Sequence, residues 1–300
     1  MDHGPQSHPT SRLAGLKGVG VVDLSPEARR RIRRILEEPK FELLPLGNVL
    51  EQCRYLPSGA QVSITASPTR TLEHTLDVAA DLAMWGFEVV PHLSARMTKD
   101  LTHLAALLKR IEDLNISRVF VVGGDAPQQG DFPDGFSLIS GLEKIGHDLE
   151  EIGIPCYPDG HSVIPDDRLW QALYDKQPHA RYMTTQMCFD GELIADFLVH
   201  SRAKGVDLPV RFGIPGVADR LKLARISTRI GVGQSVRFLT KHRGLVGRFV
   251  RPGGFAPDEL LEDLIPRLDG PESDVKGVHI YTFNQCDTTE RWRQEYLAVL

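Results

Sequence analysis

Eight residues with polar or titratable side chains fall at or just beyond the ends of short apolar runs: Glu42, Thr65, His92, Asp125, Tyr157, His161, Gln186 and Tyr281. Glu42 poses the sharpest question. It interrupts "FELLPLGNVL" (41–50), where Phe41, Leu43, Leu44 and Leu46 make a buried strand that Pro45 and Gly47-Asn48 bring to a stop. A carboxylate in such a run must be desolvated, and it persists only if something compensates. Singly, the others are weak signals. His92 or His161 alone reads as a hydrogen-bonded structural histidine, and Tyr157 or Tyr281 as a wall residue with a satisfied hydroxyl. Asp125, between "VVGG" and Ala126-Pro127, could simply cap a turn. Their common position carries the weight, because side chains at equivalent ends of several strands can face one polar ligand.

The elements that would position them recur in a regular rhythm. Strand-like runs stand at "KFELLPL" (40–46), "QVSITA" (61–66), "FEVVPHL" (87–93), "SRVFVVGG" (117–124), "IPCYPDG" (154–160), "RYMTTQM" (181–187), "LPVRFGI" (208–214) and "GVHIYTF" (277–283). Amphipathic stretches lie between them: "TLEHTLDVAADLAMWG", "KDLTHLAALLKRIEDL" and "FSLISGLEKIGHDLEEIG" each put apolar residues on one helical face. Such alternation means parallel strands joined by helical crossovers. A doubly wound open sheet would alternate in the same way, but eight units in about 260 residues favour a (β/α)8 TIM barrel, whose functional groups gather at the C-terminal ends of its strands. Ahead of it, residues 1–22 are read as a flexible arm, and Ser25-Pro26 starts a helix that Pro39 ends. The expected organisation is an arm plus basic helix over 1–39 and a catalytic barrel over 40–300.

Composition narrows the chemistry. The chain has 300 residues, 41% hydrophobic and 25% charged, with a formal net charge of −5. That balance argues against nucleic acid as the main partner. Arg29, Arg30, Arg31, Arg33 and Arg34 in "EARRRIRRILEE" (27–38) are read as a solvated helix face, with a docking patch as the alternative. Cys53, Cys156, Cys188 and Cys286 are far apart and show no metal-ligand spacing, so free thiols, no metal and a cytoplasmic protein are expected. No apolar run reaches the about 18 residues of a membrane span and no leader is visible. "GVGVVD" follows no strand, "GGDAPQQGDFPDG" lacks the lysine of a phosphate-binding loop, and neither HExxH nor GxSxG occurs.

Eight short motifs, in order, resemble the catalytic barrel of the methylenetetrahydrofolate reductase family over roughly residues 40 to 300. "FELLPL" is similar to that family's first strand, "VSITASP" to its second, "VVPHLSA" to the third and "VVGGDAPQ" to the Gly-Asp-x-Pro end of the fourth. "CYPDGH", "TTQMCFD", "FGIPGV" and "VHIYTFN" follow the fifth to eighth. The resemblance implies a reductase that converts 5,10-methylenetetrahydrofolate to 5-methyltetrahydrofolate with NADH or NADPH. Glu42 would be the general acid, assisted by Asp125 as a catalytic and pterin-binding carboxylate. Gln186 would bind the pterin, and Tyr281 would lie beside the ligands. It also implies FAD, with Thr65, His92, Gly124, Tyr157, His161 and Lys176 as counterparts of the cofactor contacts.

The departures concern that cofactor. Thr65-Ala66-Ser67-Pro68 stands where the family has Thr-Tyr-Gly-Ala, and Gly123 where an arginine commonly precedes the Gly-Asp pair. Lys176 stands without the basic pair and Ala-Gly turn that follow strand five in the family. A pyrophosphate is best held by arginine forks. The expectation is therefore hydride transfer straight from nicotinamide to folate, with His92 and His161 lining the nicotinamide site. Cys188 is read as a buried filler. The competing readings are a folate-binding or partner subunit that has lost redox chemistry, and a reductase of another pterin one-carbon substrate.

Overall fold

The computed structural model describes residues 24–128, 130–217, 257–268 and 274–300. Eight parallel strands form a closed barrel in sequence order, β1 to β8, with β8 pairing back on β1. The strands are β1 Lys40–Leu43, β2 Gln61–Ile64, β3 Glu88–Ser94, β4 Arg118–Val122, β5 Glu151–Cys156, β6 Tyr182–Thr185, β7 Val210–Pro215 and β8 Val275–Tyr281. Around them, numbered among the described residues, run α1 Pro26–Glu37, α2 Val49–Cys53, α3 Leu72–Met84, α4 Leu101–Asp113, α5 Gly135–Ile145, α6 Asp166–Lys176, α7 Gly191–Ala203, α8 Asp258–Leu264 and α9 Cys286–Val299. This is the (β/α)8 barrel that the alternation predicts, with α1 as an N-terminal helical extension. The expected arm over 1–22 lies outside the described residues. Among those described, no helix is long and apolar enough to cross a membrane.

Strand alternation builds two very different surfaces. Outward residues such as Phe41, Leu43, Val62, Ile64, Val119, Ile152, Met183, Phe212 and Ile280 are almost fully buried against the helices and form one continuous core. Each such side chain contributes about 1.5–3 kcal/mol of burial, so Phe41→Ala would cost about 3–5 kcal/mol. The inward face is polar instead: Lys40, Glu42, Ser63, His92, Thr184, Arg211 and His279 share it with Val90, Phe120 and Tyr182. At its N-terminal end Lys40 Nζ donates to Tyr182 Oη at 2.7 Å, and Lys40, Lys276 and Arg211 sit 4.4, 4.9 and 5.9 Å from the Tyr182 ring.

Helix α1 is capped as its sequence indicates: Pro26 opens it and the Ser25 hydroxyl accepts from Ala28 N–H. Ala28, Ile32, Ile35 and Leu36 face the barrel, while Arg30, Arg33 and Arg34 are exposed. Arg31 and Arg33 donate to the carbonyls of Leu268 and Leu297, tying the helix to later parts of the chain. One boundary differs from expectation. The amphipathic pattern over 136–153 is helical only as far as Ile145, because Gly146 turns the backbone left-handed at φ 77 and ends α5. Glu150 N–H then bonds Ser117 O, and β5 begins at Glu151, opposite Arg118. Tyr157–Gly160, read as part of that strand, is a turn.

Candidate active site

Glu42 lies near the C-terminal end of β1, its side chain turned into the barrel with 13% exposure. Its main chain is fixed from β8. Thr282 Oγ1 donates to Glu42 O at 2.6 Å. Asn284 accepts from Leu44 N–H at 2.9 Å and donates to the carbonyls of Leu44 and Leu46 at 2.9 and 3.2 Å. To make this clamp Phe283 and Asn284 adopt φ of 52 and 56. Asparagine tolerates that region, whereas phenylalanine is strained in it.

The Glu42 carboxyl meets two imidazoles through a single oxygen. His279 Nε2 lies 2.9 Å from Oε2 and His92 Nε2 lies 3.9 Å from it. His92 Nε2 is closer to Ser63 Oγ, at 2.7 Å. Burial pushes the Glu42 carboxyl up to about 7, with His92 opposing. Burial also lowers His92 to about 4, the Glu42 charge opposing, and holds His279 well below the usual histidine range, helped by Lys40 and Arg211. Both imidazoles are therefore neutral at physiological pH. Their contacts with Glu42 are hydrogen-bonding and dipolar, and the carboxyl is not locked into an ion pair.

Around this centre the strand ends bring the other candidates. Tyr281 Oη donates to Thr185 O at 3.1 Å, and burial, then the Glu42 charge, holds it a neutral phenol. Tyr157 packs edge-on to His161, ring centres 5.4 Å apart, and burial then Asp125 raises its phenol. His161 Nδ1 accepts from Val163 and Ile164 N–H at 3.2 Å each, so the neutral ring carries its proton on Nε2. Burial lowers the His161 ring and Asp125 opposes. Asp125 is thus near both rings, on an exposed turn reached through Gly124 at φ 89. A Cβ on Gly124 would run into Ser94 Oγ. Gln186 N–H donates to Cys156 O at 2.7 Å and its Oε1 accepts from Met187 N–H at 2.9 Å. Its Nε2 has no partner among the described residues.

The remaining candidates are Thr65, His92 and Lys176. Thr65 is half-buried, donating through its N–H to Leu43 O and accepting at its carbonyl from Thr75 Oγ1. His92 is 6% exposed and belongs with Glu42 inside the barrel. Lys176 is 7% exposed at the end of α6, and a Cβ on Gly135 of α5 would touch its stem. Burial lowers Lys176 to about 8. Sequence reasoning assigned no role to His279, Ser63, Thr282 or Asn284, although all four lie inside the strand motifs that carry the resemblance. Two-residue periodicity was the available signal: His279 shares a face with Tyr281, and Ser63 with Thr65.

All four cysteines are buried and none forms a disulfide, and burial pushes the Cys188 thiol up to about 12, which leaves it inert. Among the described residues no group of three or more His, Cys, Asp or Glu could hold a metal. Arginine forks suit a flavin's pyrophosphate best. Lys176 is the one lysine or arginine in the candidate cofactor set, and it is buried.

The family model for methylenetetrahydrofolate reductase matches residues 45–238, about two thirds of the chain. The match begins just after Glu42 and ends before β8, so Glu42, His279 and Tyr281 stand outside it. An uncharacterized protein from Clostridium thermocellum, described as binding two copies of 5-methyl-5,6,7,8-tetrahydrofolic acid, superposes with a TM-score of 0.62 at 10% identity. That likeness covers 89% of this chain and 99% of the other. A putative lyase/mutase from Burkholderia cenocepacia J2315 gives a TM-score of 0.44 at 12% identity, covering 91% of this chain and 86% of its own. At 10% identity the first of these likenesses concerns the fold alone.

Proposed function

The chain belongs to the methylenetetrahydrofolate reductase family, and from that premise we propose that it reduces 5,10-methylenetetrahydrofolate to 5-methyltetrahydrofolate with NADH or NADPH. The observation that carries this reading is the Glu42 carboxyl, nearly buried between neutral imidazoles and titrating at about 7. A carboxylic acid that is half protonated near neutrality is suited to donate a proton during turnover. Its proton would pass to the bridge nitrogen of the folate. The bond from that nitrogen to the methylene carbon then breaks, leaving an iminium carbon. The reduced nicotinamide supplies the hydride that this carbon accepts. Asp125 would hydrogen-bond the pterin and stabilise developing positive charge, and the free Nε2 of Gln186 would donate to its edge.

Flavin is not part of this reading. The altered Thr65-Ala66-Ser67-Pro68 loop, Gly123 and the buried Lys176 all support direct transfer, with His161 and Tyr157 beside the nicotinamide. The test is oxidation of NADH or NADPH that depends on added methylenetetrahydrofolate and yields 5-methyltetrahydrofolate. A second reading is a folate-binding member without redox chemistry; the Clostridium thermocellum neighbour is described as binding 5-methyl-5,6,7,8-tetrahydrofolic acid, which either reading accommodates. Tight folate binding with no nicotinamide oxidation would select that reading.

A further inference from the structure

We propose that His279 is the positioning residue of the Glu42 carboxyl, holding Oε2 from the tier beneath and leaving Oε1 as the oxygen that delivers the proton. This rests on the reading of Glu42 as the proton donor. Both imidazoles approach Oε2, and His279, at 2.9 Å, is the one within hydrogen-bonding distance. Oε1 has no protein partner among the described residues, yet it is not among the sealed-off atoms that lack one. It is therefore the oxygen that a ligand can reach.

The tautomer of His279 follows from its other nitrogen. Nδ1 is buried with no partner. A proton there would leave an orphaned N–H, which costs more than a bare acceptor. The proton therefore sits on Nε2 and is donated to Oε2. A carboxyl whose Oε2 accepts can still carry its own hydrogen on Oε1. When the Oε1–H bond breaks and the substrate N–H bond forms, the same His279 donor faces a carboxylate and the hydrogen bond becomes charge-assisted. His279 thus orients the acid before transfer and steadies the anion after it.

This works only while His279 is uncharged, since an imidazolium would hold Glu42 permanently ionised. The groups that act on it come from several strands: Lys40 and Glu42 on β1, His92 on β3, Arg211 on β7 and Tyr281 on β8. Arg118, Glu151 and Lys276 complete the floor. Lys40 is its register partner on β1, and with Arg211 it opposes a charge on the ring.

The experiment is an infrared pH titration of the Glu42 carboxyl, identified by its loss in Glu42→Gln, in wild type, His279→Leu and His279→Gln. Steady-state kinetics are run in parallel. In His279→Leu the midpoint should rise from about 7 to about 8 or above, with kcat down about 10–100-fold and the folate KM within about three-fold. His279→Gln, whose amide can also donate, should recover most of both. If the Leu variant does not fold, His279→Asn, whose amide falls short of Oε2, replaces it. An unchanged midpoint in a folded donor-less variant overturns the proposal, as does a folded Gln variant no better than Leu. Wild type that oxidises no nicotinamide would refute the proposed reaction instead, and the titration would still report on His279.

Discussion

Replacing Glu42 with glutamine should make the protein more stable, by an amount that grows with pH. The carboxyl titrates at about 7 in the folded chain against 4.5 for the exposed group. Below about pH 4.5 both states hold the proton and the raised pKa costs nothing. As pH rises the unfolded chain releases its proton while the folded chain retains it, so stability falls until pH passes 7 and then levels off. Glutamine is never ionised and escapes that loss. Integrating between pH 5 and pH 8.5 gives roughly 2.5 kcal/mol gained by Glu42→Gln relative to wild type. At 13% side-chain exposure, little of this is screened by solvent. The glutamine can accept from His279 through its amide oxygen, so the hydrogen bond is retained. His92 titrates in the opposite direction, losing stability as pH falls from 6.5 toward 4, and without the opposing Glu42 charge that loss is slightly larger in the glutamine variant, which adds to a gap that grows with pH. Urea unfolding of both at the two pH values measures the difference. A stability gap independent of pH would show that Glu42 titrates like an exposed carboxyl and would remove the physical basis for its role as an acid.

The same variant should lose turnover by about 10²–10⁴-fold while still binding folate; turnover within a few-fold of wild type would assign the proton to another group. Asp125→Ala and Gln186→Ala should each weaken folate binding or its reduction by roughly 1–3 kcal/mol and leave nicotinamide affinity nearly unchanged. Titration calorimetry with each ligand decides, a selective loss of nicotinamide binding being the adverse result. The protein should purify colourless and give intersecting double-reciprocal lines, because direct transfer needs both ligands bound at once. Added FAD should not raise the melting temperature, where a ligand at 100 times its Kd would contribute about 2.7 kcal/mol. A yellow protein with parallel lines would restore a flavin shuttle.

The barrel was legible because eight strand-like runs recur with amphipathic stretches between them, and the closed order of the strands matches that count of runs. The error at β5 has a local cause. Apolar residues in "EKIGHDLEEIG" keep a helical period past the point where Gly146 breaks the helix, and periodicity alone does not register one left-handed residue. The clamp from Thr282 and Asn284 was hidden for a related reason. Its geometry depends on positive φ at Phe283, and nothing about a phenylalanine announces that conformation.

Below Glu42 and His92 the candidate site went unread. Searching the ends of the strands picked out Glu42, Thr65, His92, Asp125, Tyr157, His161, Gln186 and Tyr281 as candidates, but it gave no role to His279, one inward step below Tyr281 on the same strand. Lys40 explains why that lower tier was invisible. A lysine at the start of an apolar run is ordinarily a solvent-facing flank, and barrel interiors are ordinarily filled by branched apolar residues. Here Lys40 turns inward with 2% exposure and bonds Tyr182, and burial, then Arg211, pull its own amine well below the usual lysine range. Its register partner is His279, and the next inward residue on its own strand is Glu42. Cations at the floor therefore disfavour charge on the imidazole tier, and a neutral imidazole tier leaves the carboxyl above it free to hold a proton. Burial raises the proton affinity of Glu42, and the residues that keep its imidazole neighbours neutral are of types that, taken one at a time along the sequence, describe a surface.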